Sequence, residues 1–211
     1  MSFLTDVHEN LVTIGKYRFE VNPAFDTVLS IQQLYREEEL TDWEKQDQAI
    51  DMLVVSGRRH LKRLRPQEKT ALLEEIYKTC VNTRKLPPTR QKERVLDFEL
   101  DGEYIYASFM LDYRIDLIQM QGILPWKKFI ALFQGLSEKT KIREVMRIRG
   151  MDTPTFNGKN EKEIQQIQEL KMIYALPARG GGGKQGMDRL FYTLEKMAVR
   201  EGGGSIGEKR R

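Results

Sequence analysis

Residues 101–119, DGEYIYASFMLDYRIDLIQ, place apolar side chains on nearly every side of an α-helix and leave only a narrow polar stripe through Asp101, Ser108, Asp112 and Asp116. A helix with so little polar surface is expected to be central and contacted by several neighbours. Downstream, Pro125 opens a second helical pattern, with Trp126, Phe129, Ile130, Phe133 and Leu136 facing one way and Lys127, Lys128 and Gln134 the other. Gly135 and Ser137 punctuate it before Ile142, Val145 and Met146 resume the spacing. Upstream, Pro66 suits a first helical turn and precedes Leu72, Leu73, Ile76, Tyr77 and Cys80, whose three- and four-residue intervals make one apolar face.

Toward the N-terminus the period changes. Residues 11–21, LVTIGKYRFEV, alternate around Gly15-Lys16 and predict a small β-hairpin, with Ile14, Tyr17, Phe19 and Val21 as candidates for its buried face. Asn22-Pro23 starts a helix carrying Val28, Ile31, Leu34 and Tyr35. The Thr41-x-x-Glu44 spacing of a capping box predicts another, with Trp43, Ile50, Leu53 and Val54 inward. Leu86-Pro87-Pro88 marks a linker or exposed loop, and Gly150 and Pro154 bound a polar loop. Ile164, Ile167, Leu170 and Tyr174 then predict a last core helix before Pro177. The fold class is therefore mainly α: a multi-helix globular domain over 1–178 with an N-terminal β-hairpin at about 11–21. Residues 179–211 read as a flexible C-terminal extension: a glycine run at 180–183, a short amphipathic helix through Leu190, Phe191, Leu194 and Met197, and a basic tail.

Composition narrows the function. With 40% hydrophobic and 31% charged residues the chain suits a water-soluble helical protein, and no run approaches the ~18 apolar residues of a membrane span. The start, MSFLTDVHEN, lacks the basic and apolar regions of a signal peptide, so a cytosolic protein is expected. A net charge of +4 neither demands nor excludes nucleic acid. The lone Cys80 lies in an apolar stripe and is expected to be buried and inert. Two separated histidines, His8 and His60, and one cysteine cannot supply a zinc site or a nucleophile–base pair, so neither metal, cofactor nor catalytic residue is expected.

Three further signals have a functional and a bland reading. Asp112 and Asp116, four apart, could hold a divalent ion, but without a third ligand nearby a salt-bridge or capping role is preferred. The run GGGGK at 180–184 departs from a phosphate-binding loop because Gln185 follows the lysine, and a linker is the better reading. Residues 56–66, SGRRHLKRLRP, hold Arg58, Arg59, Lys62 and Arg63 as candidate contacts to phosphates or an acidic partner. Since no aromatic residue interleaves to stack on bases, a surface turn with Leu61 and Leu64 tucked inward is favoured.

Three segments in order resemble the gene-product-fifteen family of long-tailed bacteriophages, regarded as tail assembly chaperones. They are Leu96-Asp97-Phe98-Glu99 with Asp101 to Phe109 and Tyr113-Arg114-Ile115-Asp116-Leu117, then Leu124-Pro125-Trp126-Lys127-Lys128-Phe129 with Gly135 to Thr140 and Ile148-Arg149, and last Glu169 to Pro177. The resemblance is strongest over 95–177, and Pro125 stands where the family often has a histidine. It implies a host-cytoplasmic factor that keeps the tape-measure protein soluble until tail-tube subunits polymerise around it, and that is lost from the finished virion. The residue reading agrees in kind, with no active site and nine methionines for adaptable apolar contacts. The expected partners are the tape-measure protein, the tail-tube protein and another copy of the chain, with no membrane and no nucleic acid. The alternatives are a nucleic-acid-associated binding protein using 56–66, or a structural tail or connector subunit. Leu190, Phe191, Leu194 and Met197 are candidate partner contacts on the extension. Deleting 179–211 is expected to leave the melting temperature of the remainder unchanged within about 2 °C by calorimetry, and a large drop would show that the extension docks.

Overall fold

The computed structural model describes residues 10–81 and 94–177. The linker expected at Leu86-Pro87-Pro88 and the extension with Leu190, Phe191, Leu194 and Met197 lie outside the described residues. The described chain divides into two compact units, the first of residues 10–81 and 118–130, the second of 94–117 and 131–177.

In the first unit, β1 (Leu11–Ile14) and β2 (Tyr17–Val21) form the hairpin, with Ile14 opposite Tyr17 and Gly15 at φ +56° in the two-residue turn. Val12, Phe19 and Val21 are buried, while Ile14 and Tyr17 are only partly covered. A third antiparallel strand, β3 (Val54–Ser56), joins β2, and its first residue Val54, buried as its spacing predicts, also closes the preceding helix in extended conformation by donating its N–H to the Ile50 carbonyl. Two successive β-branched valines suit an extended strand better than a helical last turn.

Helix α1 (Phe25–Arg36) buries Phe25, Val28 and Ile31, and α2 (Asp42–Leu53) buries Ala49, Ile50 and Leu53. The capping box forms as expected: Glu44 N–H donates to Thr41 Oγ1 at 3.3 Å and Thr41 N–H donates to Glu44 Oε2 at 2.9 Å. Trp43 corrects the sequence reading, because it is 42% exposed rather than inward. One turn further on, its face carries Asp47, which pairs with Lys69 at 2.8 Å, so apolar contact has ended and Trp43 stands beyond it under the Lys69 ammonium. Helix α4 (Pro66–Ile76), reached through the short α3 (Arg58–Leu61), continues as a wider π turn over Tyr77–Val81. Its inward Leu72, Leu73, Ile76, Tyr77 and Cys80 are the residues the spacing selected, and it packs against β1 and α2.

The segment 118–130 returns to this unit by an antiparallel clasp. Phe25 N–H donates to the Leu124 carbonyl at 2.9 Å and Trp126 N–H to the Pro23 carbonyl at 2.8 Å, around the facing pair Ala24 and Pro125. Pro125 faces Ala24 in a pair that exchanges no hydrogen bond, so its missing N–H costs the clasp nothing, and at Pro23 the ladder ends because Trp126 opens a helix. Asn22 Nδ2 donates to the Gly122 carbonyl and Gly122 N–H donates to Asp26 Oδ1, both at 2.8 Å. Helix α6 (Trp126–Gln134) starts from this clasp, with Trp126 stacked on Phe129 and Phe129 on Phe25.

The division of the chain falls within α6, after Ile130. In the second unit α5 (Gly102–Tyr113) packs against α7 (Lys141–Gly150), and α7 against α8 (Glu161–Ile173). Leu96, Phe98, Ile105, Phe109, Phe133, Ile142, Val145 and Ile148 are buried. Two expectations fail here. Helix α5 buries one face only, through Ile105, Ser108 and Phe109, while Met110 and Leu111 are exposed. Helix α8 buries no residue, so it is not a core helix; Ile164, Ile167 and Tyr174 are half-covered where α8 meets α7, and Leu170 is exposed. Helix formation follows the period of the side chains, whereas depth of burial depends on how many elements surround the helix, which the period does not record.

Trp126 is fully buried among aromatic neighbours. Trp126→Ala is expected to cost about 3–5 kcal/mol in a denaturant titration, as large aromatic truncations in cores do, and an unchanged midpoint would remove it from the core.

Candidate interaction surfaces

The orientation of α5 is set by its polar residues. Asp101, at the N-terminal end of α5, and Arg149, in the last turn of α7, form a two-pronged ion pair with Nη1–Oδ2 at 2.7 Å and Nη2–Oδ1 at 2.8 Å. Both side chains are buried, at 1% and 8% exposure, so each charge needs full compensation. Arg149 also donates to the Val95 carbonyl at 3.0 Å and the Tyr174 carbonyl at 2.6 Å, and Asp101 accepts from Asp97 N–H at 2.9 Å. Two turns along, Ser108 Oγ accepts from Ile142 N–H at 3.2 Å and donates to the Tyr104 carbonyl at 2.6 Å. At the far end Asp112 accepts from Ser137 N–H at 2.6 Å and from its hydroxyl at 3.0 Å, and Tyr113 donates its hydroxyl proton to the Leu132 carbonyl at 2.9 Å. Gly135 leaves room for that hydroxyl, since a Cβ there would lie 2.9 Å from it.

The polar stripe thus faces the protein. Glu103, Ala107, Met110 and Leu111 face solvent instead, Leu111 at 60% exposure, and Leu100 in the turn before the helix is 54% exposed. This is an apolar helix face without an intramolecular cover among the described residues, the kind of surface that marks a protein interaction site. Arg143 of α7 is buried as well. It donates to the carbonyls of Phe133, Gln134 and Leu136, which are left without helical partners at the end of α6.

The basic segment is a second surface. Gly57 has φ +88°, and a Cβ there would approach the Arg18 carbonyl to 2.7 Å, so only glycine lets the chain turn closely over β2. Arg58, one of the four candidates, is committed to structure: Nε and Nη2 donate to the carbonyls of Val54 and Asp51, each at 2.8 Å, closing the end of α2. Leu61 and Leu64 are buried, as the surface-turn reading required. Arg59, Lys62 and Arg63 are exposed, with no acidic partner among the described residues. The tertiary structure also supplies the aromatic partner that the segment itself lacks: Tyr17 of the hairpin stacks on His60 with ring centres 4.8 Å apart, and the Lys16 ammonium lies over Tyr17 at 5.4 Å.

The other candidates resolve toward structure. Asp112 is the capping partner of Ser137, and among the described residues no three metal-ligating side chains come together. Burial raises the pKa of the Cys80 thiol, which disfavours the reactive thiolate. A groove of about 620 Å³ between β1 and α4 is lined by residues including Thr13, Glu74, Glu75 and Lys78, where Glu75 pairs with Lys78 at 3.1 Å. No described helix is long and apolar enough to cross a membrane.

The sequence reading gives Arg143 no role and names Arg149 only within the family resemblance. The available signal was their position on the α7 face that also carries Ile142, Val145 and Met146, where a solvated arginine would not sit. Comparison with known proteins gives one family match: a family model described as "Bacteriophage Gp15 protein" matches residues 7–176. Neither curated proteins nor solved structures give a match. Asp101→Ala, which leaves Arg149 buried and unpaired, is expected to cost about 3–5 kcal/mol in denaturant titration, whereas Arg59→Ala should change stability by less than about 0.5 kcal/mol.

Proposed function

The chain belongs to the bacteriophage Gp15 protein family and is thus a phage structural or morphogenesis protein, and within that class we propose that it is a tail assembly chaperone. In this reading it binds the tape-measure protein in the host cytoplasm, keeps that chain soluble, helps recruit tail-tube subunits and is absent from the finished virion. The observation that carries the reading is the outward face of α5, where Ala107, Met110 and Leu111 stand in solvent while Asp101, Ser108 and Asp112 are turned inward. A partner rich in amphipathic helices can lay its apolar stripe on such a face, and the flexible side chain of Met110 adapts to successive sequences along a long client. The task needs no catalysis, only apolar area that a soluble chain can present without collapsing.

Apolar contacts persist at high ionic strength, whereas affinity resting on phosphate contacts falls steeply with salt. Co-expression with the tape-measure protein of the same phage should keep that protein soluble, and the complex should survive a wash at about 0.5 M salt, where the Debye length is only about 4 Å. The pair Met110→Asp and Leu111→Asp, both on the exposed face, should abolish retention while leaving the melting temperature close to that of the parent. Precipitation of the tape-measure protein despite co-expression, or full retention by the doubly substituted chain, would overturn the reading. Recovery of the chain in purified virions would instead favour a structural tail or connector subunit.

A further inference from the structure

Helix α2 joins two ends of the first unit that carry opposite charge. At its N-terminal end the exposed residues include Glu37, Glu38, Glu39, Asp42 and Glu44, along with the cation Arg36 and the exposed ring of Trp43, over which the Lys69 ammonium lies. At its C-terminal end Arg58 grips the Asp51 and Val54 carbonyls and leads Arg59, Lys62 and Arg63 past the stacked Tyr17–His60 pair and Lys16. The twelve residues of α2 hold the two ends roughly 18 Å apart, at 1.5 Å of rise per residue.

Local stability accounts for Asp42 and Glu44, which lie in the first turn of α2 where the dipole favours negative charge and Glu44 completes the capping box, and for Arg58, which closes the C-terminal end of the same helix, but not for the other charges. Glu37, Glu38 and Glu39 directly follow the C-terminus of α1, the end of a helix dipole that disfavours negative charge. Lys62, Arg63 and Arg65 directly precede the N-terminus of α4, the end that disfavours positive charge. Among the described residues, Glu38, Glu39, Lys62 and Arg63 have no ion-pair partner. Glu37 to Glu39 and the pair Lys62 and Arg63 are thus two groups of opposite sign, each beside a helix end whose dipole disfavours it and each near exposed or half-exposed aromatic surface, and they complement one another across molecules.

We propose that the acidic, Trp43-bearing end of one copy docks on the basic, Tyr17–His60 end of a second, so that the chain self-associates head to tail. Attraction between the clusters steers the encounter and fixes the polarity, while Trp43, Tyr17 and Arg59 are residue types that dominate binding energy at interface centres. Because the two surfaces differ, each copy keeps one end open after pairing, and association continues into a ring or a filament. The inference rests on the charge layout of the first unit and is independent of what the α5 face binds.

Sedimentation velocity on the full chain, freed of nucleic acid, tests it. At about 50 mM salt the weight-average mass should rise with protein concentration, and at about 0.5 M salt it should return to that of the monomer. Two triple variants, R59E/K62E/R63E and E37K/E38K/E39K, should each be monomeric at low salt. An equimolar mixture of the two should associate again, since one contact between them is the native pair and the other the same pair with signs exchanged. Trp43→Ala, which leaves the net charge alone, should weaken self-association at least fivefold. A parent chain that stays monomeric at low salt, an associated triple variant, or a mixture that stays monomeric would each overturn the proposal. So would a monomeric parent that binds a fluorescent mixed-sequence single-stranded DNA in a salt-sensitive way lost in R59E/K62E/R63E, which would assign the basic end to nucleic acid.

Discussion

A carboxylate and a guanidinium taken out of water together constrain much of the second unit. Neither Asp101 nor Arg149 can be buried alone, and together they are tolerable only because each remaining donor and acceptor finds a partner. The pair pins the start of α5 to the end of α7, and through Val95 and Tyr174 it also fixes the chain on either side of the helices. Once Asp101 is inward, the 3.6-residue period carries Ser108 and Asp112 inward as well, and each meets a backbone N–H that needs an acceptor. The apolar residues on the far side of α5 are left to the solvent as a geometric consequence. The exposed apolar face and the tether that orders the unit are thus two sides of one helix.

The first unit is organised by backbone rather than by charge. Its clasp joins residues roughly a hundred apart in sequence, and the two prolines within it stand where a missing N–H leaves nothing unpaired. The clasp delivers Trp126 and Phe129 to Phe25, so a core of stacked aromatics forms where α6 begins. Around that core Glu37, Glu38 and Glu39 are exposed before α2 and Arg59, Lys62 and Arg63 after it, while Lys45 within α2 is buried and donates to the Tyr35 carbonyl. Arg58 closes α2 with its guanidinium and so decides where Arg59, Lys62 and Arg63 emerge.

The second unit presents an exposed apolar face on α5, and the first presents exposed charges before and after α2. The chain's family, bacteriophage Gp15 protein, makes it a phage structural or morphogenesis protein. Assembly factors need faces that are apolar or charged enough to hold a partner and that release it when subunits with larger complementary area arrive.

By itself the sequence determined the helical class, the hairpin, the capping box at Thr41 and Glu44, the buried stripe of α4 and the aromatic face of α6. Each of these depends on neighbours within a few residues, where period, cap chemistry and turn geometry act directly. The tertiary structure alone decided which way α5 faces, because a polar stripe points to water or to buried partners according to what lies opposite, and Arg149, Ile142 and Ser137 lie 48, 34 and 25 residues away. It alone decided that Trp43 stands outside its helix contact, that Val54 pairs as a strand and that α8 stays at the surface. It alone brought Tyr17 to His60, giving the basic segment the aromatic partner missing from its own eleven residues. A residue's type and spacing record what it can do, whereas its burial and its partners depend on chain segments that only folding brings within a few ångströms of it.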